Sequence, residues 1–196
     1  IEWPHYYDEL LDAIEGIPEP YFLWVFSLDP HQPYLAPRKY RAESSLFSMY
    51  YANFRESTGD STQAEVPPGI HKRLKRAYRD AVRSADGFVD RLMGDLPGNP
   101  TTIVHADHGE ALGEHGAWGH PPVLYDENIH VPLLIANAET AGRVSRPVSL
   151  RSLPELTAAS TVGDGFDPET FTREHVLVAT EGLGEFALRG RRWKYF

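Results

Sequence analysis

The sequence contains no cysteine. Disulfides, thiolate metal ligands and cysteine nucleophiles are therefore excluded, while the redox compartment stays open. Lysine is scarce, occurring only at Lys39, Lys72, Lys75 and Lys194, and cationic side chains are outnumbered: Lys+Arg 19 against Asp+Glu 28 leaves a formal net charge of -9. Nucleic acid and anionic lipid are polyanions, so neither is an expected partner. No apolar run approaches the roughly 20 residues that span a bilayer, and no basic-then-apolar leader opens the chain, so no membrane span is expected in this segment.

What is present describes an ordinary folded protein. A chain of 196 residues with a hydrophobic fraction of 41% and an aromatic fraction of 12% can bury one real core. Both ends read as cut, because the chain opens at Ile1 without methionine and stops at Phe196 inside RRWKYF, a strand in progress.

Leu10, Leu11 and Ile14 recur at helical spacing before stops at Gly16 and Pro18, which predicts a short helix between Tyr6 and Ile17. YFLWVFSLD, residues 21 to 29, is continuously apolar rather than alternating, which predicts a strand covered on both faces. Its end delivers Asp29, Pro30, His31, Gln32, Pro33 and Tyr34. Residues 35 to 66 are of mixed polarity, with Gly59-Asp60-Ser61, and read as an irregular excursion, either a lid or a passive insertion. Pro67 and Pro68 open a long helix with a stripe of Leu74, Tyr78, Val82, Ala85, Val89, Leu92 and Met93, stopped by Leu96-Pro97-Gly98.

Residues 101 to 107 and 130 to 137 are expected as further buried strands. Helix and strand therefore alternate, and the fold class expected is α/β, a mostly parallel sheet flanked by helices. SLRSLPELTAAS predicts a strand edge running into a short helix, and HVLVATEG, EFALRG and RWKYF predict an antiparallel meander. The expected division is an α/β part over 1–160 and the start of a small antiparallel subdomain over 161–196.

Functional groups in such sheets collect beyond the carboxyl ends of strands. Two strand ends here carry them: Asp29 to Tyr34, and Asp107-His108-Gly109. A carboxylate beside an imidazole is a mixed ligand pair for a divalent ion, and the glycine lets the backbone turn sharply next to it. The tripeptide alone equally fits a helix cap at Asp107 with a surface histidine beside it. The neighbourhood favours the metal, since His105, His108, His115, His120 and His130 crowd one short stretch. Glu110, Glu114 and Asp126 are available to pair with some of them at the surface, and His115 and His130 are assigned to structure.

FLWVFSLDPHQPY, YRDAVRSADGFVDRLMGDL, IVHADHGEALGEHG and LYDENIHVPLLI, in this order, resemble the later part of the catalytic domain of the sulfatase branch of the alkaline phosphatase superfamily. The resemblance implies a metal-dependent hydrolase of sulfate esters of small molecules or glycans, or of phosphodiesters or phosphonate monoesters. It makes Asp107 and His108 the late pair of metal ligands, with calcium the first expectation and manganese or another transition metal the next. His31, in His-x-Pro-Tyr, matches the histidine that contacts the ester and assists the leaving oxygen; its plain alternative is a loop histidine capping a turn. His120 falls where many members place a lysine that binds the ester's anionic oxygens. His105 departs from the small hydroxyl residue common before this motif and is expected in the core or behind the ligands.

The sulfatase nucleophile is a formylglycine made from the first residue of Cys/Ser-x-Pro-x-Arg, and no such context occurs here; Ser152-Leu153-Pro154-Glu155 does not continue correctly. The early aspartate ligands are missing too. Both are expected only in an upstream segment, which makes residues 1–196 inactive alone. A metallo-β-lactamase-like reading of His105 to His108 fails because Ile103 stands where the leading histidine belongs. A non-catalytic sulfatase-like binding protein remains the other alternative.

Overall fold

The computed structural model describes residues 2–48, 50, 68–138, 141–161, 165–180 and 183–196. The chain divides into two compact units: Ile1–Gly98 with Leu112–Gly119, and Asn99–Ala111 with His120–Phe196.

In the first unit, a 3-10 turn at Trp3–His5 leads into α1, Tyr7–Glu15. Asp8 and Glu9 sit in the first turn, where the helix dipole favours negative charge, and Tyr7 and Ile14 turn inward. The long helix α2 spans Pro68–Asp95. Its buried line is Leu74, Ala77, Ala81, Ser84 and Phe88, rotated from the predicted stripe, and Val82 is 41% exposed. Small residues occupy this line because the bulk arrives from elsewhere. Trp3, Tyr7 and Phe88 form one cluster, and Tyr34 and Trp118 close over Leu74, Ala77 and Ala81 in another. Trp3 and Tyr7 meet edge to face at 5.3 Å, and Trp3 Nε1 donates to the Ser84 carbonyl at 3.1 Å. Full burial of side chains such as Leu74 and Phe88 contributes roughly 1.5–3 kcal/mol each.

Residues 21 to 28 do not form the fully covered strand predicted. No β-ladder includes them among the described residues. Phe22, Trp24, Phe26 and Leu28 are 64–76% exposed, and the residues between them are half-buried. Alternating exposure is the mark of an extended segment with one face covered. Of the predicted excursion, residue 49 and residues 51 to 66 lie outside the described residues.

In the second unit, β1 (Thr102–His105) pairs with β4 (Leu133–Ala136) antiparallel, Val104 opposite Leu134. The β1–β4 ladder is antiparallel, as are both ladders of the C-terminal sheet, so these ladders do not show the mostly parallel sheet predicted. Alternation of helix and strand fixes the layers but not strand direction, because a long return loop permits either. His105, expected inside, is exposed. In sequence two short strands come between them, β2 (Ala111–Leu112) and β3 (Trp118–Gly119), the latter within the first unit. A one-turn helix α3, Asp126–Ile129, precedes β4.

The predicted strand edge is reduced to one antiparallel bridge, Val148 opposite Thr172, and the extended Ser149 leads into a 3-10 turn, Leu150–Ser152, where the Ser149 side chain accepts from Arg151 N. It runs directly into α4, Leu153–Ser160. The C-terminal meander forms as predicted: β5 (His175–Ala179), β6 (Phe186–Gly190) and β7 (Lys194–Tyr195) make one antiparallel sheet. Among the described residues no helix is long and apolar enough to cross a membrane.

Asp80 is a carboxylate buried on α2, and the loop before it supplies its partners. Ala42 N, Glu43 N and Ser44 N donate to it at 3.2, 3.1 and 2.7 Å, and Arg83 adds an ion pair at 2.7 Å. Burial alone would push this carboxyl up; the hydrogen bonds from Ser44, Glu43 and Ala42 outweigh it and hold the group below the usual carboxylate range. A folded-state value below the unfolded one stabilises at all pH above the unfolded value, and that contribution is lost as pH falls through the folded one. Asp80→Ala is expected to cost about 2–3 kcal/mol in urea unfolding near neutral pH. The deficit relative to wild type should shrink progressively below about pH 4; a deficit that is flat with pH would refute this role for Asp80.

Candidate metal centre

β1 ends at His105, and the chain then turns through Ala106, Asp107, His108 and Gly109. Gly109 fixes where that turn lies. Its N–H donates to the Asn128 carbonyl at 2.8 Å, and a Cβ on it would stand 2.0 Å from the Glu127 carbonyl oxygen. Close approach to the backbone of α3 is what requires glycine here. α3 is anchored in turn. Asp126 at its start pairs with Lys194 Nζ at 2.8 Å and Arg189 at 3.2 Å, and Lys194 also donates to the Leu124 carbonyl at 2.9 Å. Burial would raise the Asp126 carboxyl, but its bond to Lys194 and the charges of Lys194 and Arg189 hold it low. The meander thus supports the helix against which the turn rests.

Asp107 reaches outward, its side chain 70% exposed, and Oδ1 accepts from His108 N at 3.1 Å. His108 Nδ1 lies 2.9 Å from the Gly109 carbonyl oxygen. A carbonyl only accepts, so Nδ1 carries the proton and Nε2 is the basic edge. Nε2 lies 3.9 Å from Asp107 Oδ1. Two donors this close can reach one divalent ion at ligand distances of about 2.0–2.6 Å. The pair therefore fits a metal in chemistry, tautomer and spacing.

His120 joins this pair. Its ring stacks on His108 at 4.5 Å with 22° between planes, and Asp107, His108 and His120 line one open groove. Glu110 stands behind it: its side chain is 5% exposed, and Oε2 is 3.8 Å from His120 Nδ1. Of the three acids expected to pair with histidines, Glu110 lies beside His120. Glu114 bonds Lys75 at 3.1 Å and Leu112 N, and Asp126 serves Lys194 and Arg189. His115 and His130 are exposed.

His31 lies in the first unit, on the turn after the extended segment. Its backbone N–H donates to the Leu28 carbonyl at 2.7 Å, and Nδ1 lies 2.7 Å from the Gln32 carbonyl oxygen, which leaves Nε2 as the ring's other edge. Tyr34, three residues on, is fully buried and pins the turn to α2 through an edge-to-face contact with Tyr78 at 5.5 Å. Asp29 opens the same strand end and was given no role of its own: burial pushes its carboxyl up to about 6, and the Glu2 carboxylate adds to the rise. Glu110 was visible only as one more acid, because nothing in residue type separates a buried carboxylate from a solvated one.

The turn thus places Asp107 beside His108 at a strand end, with the His120 ring stacked on His108. The chain belongs to the sulfatase family, whose model matches residues 3–157. It is 25% identical over 189 residues to the uncharacterized sulfatase YidJ of Escherichia coli, covering 85% of this chain and 36% of that protein. It is 27% identical over 155 residues to human iduronate 2-sulfatase, covering 64% of this chain and 28% of that one. A segment of 99 residues is 28% identical to the phosphoethanolamine transferase EptA of Salmonella typhimurium, covering 46% and 18%. The chain therefore spans about a third of the length of these curated sulfatases. Among solved structures, a sulfatase from Bacteroides thetaiotaomicron and a 2-O GAG sulfatase both superpose with a TM-score of 0.52, over 98% of this chain and 47% of theirs, at 16% and 15% identity. That likeness shows a shared fold.

Gly109→Ala is expected to cost about 2–3 kcal/mol of stability, because the methyl displaces the α3 backbone or breaks the bond to Asn128. Gly142→Ala, with nothing within 4 Å, is the matched control and is expected to be neutral. Equal melting temperatures for the two variants would show that the turn is not held as described.

Proposed function

We propose that the whole protein hydrolyses sulfate esters, with Asp107 and His108 as the late ligands of a divalent cation. The observation that carries this reading is the His108 tautomer in a sulfatase-family chain: the Gly109 carbonyl fixes Nδ1 and leaves Nε2 beside the Asp107 carboxylate. A bound ion would stabilise negative charge on the ester oxygens. Calcium comes first, in keeping with oxygen-rich coordination, while the imidazole leaves manganese or another transition metal as the alternative.

His31 donates a proton to the leaving oxygen from Nε2, its Nδ1 being held by Gln32. His120 contacts the anionic ester oxygens. The nucleophile and the early ligands lie outside residues 1–196, the nucleophile being a formylglycine. The substrate is a small-molecule or glycan sulfate. The phosphorus-ester reading keeps second place, favoured by the similarity to a phosphoethanolamine transferase. The α/β part ends near residue 160, and a small antiparallel subdomain begins at 161; the end of the family match at 157 and the single sheet formed by β5, β6 and β7 support that boundary.

In the whole protein, Asp107→Ala and His108→Ala are each expected to lower turnover of an aryl sulfate at least about 100-fold and to lower bound metal measured by elemental analysis. Unchanged metal content and turnover would remove both residues from the centre. Residues 1–196 alone are expected to turn over neither aryl sulfates nor phosphodiesters, and metal-dependent turnover by this segment would refute the division of the site.

A further inference from the structure

We propose that Glu110 is a positioning residue, orienting the His120 imidazole so that its Nε2 edge faces the ligand's anionic oxygens; this rests on the His120 role proposed above. Lysine can follow an anion on a flexible four-carbon stem. An imidazole has a short reach and a rigid plane, so it makes that contact only if its plane and edge are set beforehand.

Three restraints set them here. The His120 ring lies against His108 at 4.5 Å with 22° between planes, which fixes its plane. Pro121 and Pro122 follow directly, restricting the backbone that carries the ring, and Val123 N donates to the Pro121 carbonyl at 2.7 Å to close the turn. Glu110 Oε2 lies 3.8 Å from Nδ1, beyond hydrogen-bond reach, and its negative charge favours an N–H rather than a lone pair on that inward edge. With Nδ1 toward the carboxylate, Nε2 lies on the edge away from it, and the side chain is still 42% exposed. That open side belongs to the groove that Asp107 and His108 also line. Burying a carboxylate is costly unless it is partnered, and a surface ion pair has no need of a side chain only 5% exposed.

The test uses the whole protein with 4-nitrophenyl sulfate as substrate and inorganic sulfate as competing anion. His120→Ala is expected to raise KM and the sulfate inhibition constant about tenfold. Glu110→Gln, which keeps the shape, should raise both about fivefold with kcat and melting temperature nearly unchanged. In a protein already carrying His120→Lys, Glu110→Gln should change them less than about twofold, since a lysine needs no orienting partner. Glu110→Asp keeps the charge at shorter reach and should fall between wild type and Glu110→Gln; it decides the matter if Glu110→Gln folds poorly. Equal Glu110→Gln effects in both backgrounds, or none where His120→Ala has its effect, would overturn the positioning role alone. No effect of His120→Ala would overturn the anion contact itself, and the positioning role with it.

Discussion

The placement of Asp107 and His108 depends on how closely Gly109 runs against the backbone of Glu127 and Asn128. One hydrogen bond of 2.8 Å and the space left by a missing Cβ join the ligand turn to α3. Everything behind that contact serves to keep α3 in place. Asp126, at its first residue, accepts charge-assisted bonds from Lys194 and Arg189, which sit on the last two strands of the meander. A four-residue helix has almost no stability of its own. Its position is therefore set from outside, by cations that arrive some 60 to 70 residues later in the chain.

This arrangement explains which parts of the site could be read from sequence. Asp107, His108 and Gly109 could be singled out because the candidate pair and the glycine are contiguous, and their chemistry is local. The reason given for the glycine was incomplete: a sharp turn was expected, whereas the decisive constraint is a neighbouring backbone that no local pattern encodes. Lys194 and Arg189 could not be found as supports for the same reason. In the fold, α1, α2 and the meander were legible from periodicity and stop signals. The parallel sheet was not, because alternation of elements says nothing about strand direction. The α2 stripe was rotated because its apolar periodicity gave weight to Val82, while the actual contact line follows small residues that accommodate Trp3, Tyr7 and Tyr34.

Position 120 carries an imidazole whose surroundings restrict it. The motif around Asp107 resembles relatives that place a lysine there, and an imidazole is a more rigid and shorter group. Rigidity is useful only where the surroundings dictate orientation. The stacking on His108, the two prolines and the buried Glu110 supply that dictation from three directions. His108 and His120 are linked through one ring stack, so neither imidazole can move without disturbing the other.

The extended segment of residues 21 to 28 has a consequence of another kind. Phe22, Trp24, Phe26 and Leu28 present a continuous apolar edge, 64–76% exposed, with no charged side chain among residues 21 to 28 to blunt it. In residues 1–196 taken alone, such an apolar face attracts other apolar surfaces, copies of the same segment included. Opposing that attraction is the net charge of -9, which acts between molecules only over a Debye length, about 8 Å at physiological ionic strength. The colloidal behaviour of this segment is then a contest between a short-range sticky strip and a salt-screened repulsion. Dilute buffer keeps copies apart; concentrated sulfate or phosphate removes the repulsion and strengthens apolar association together.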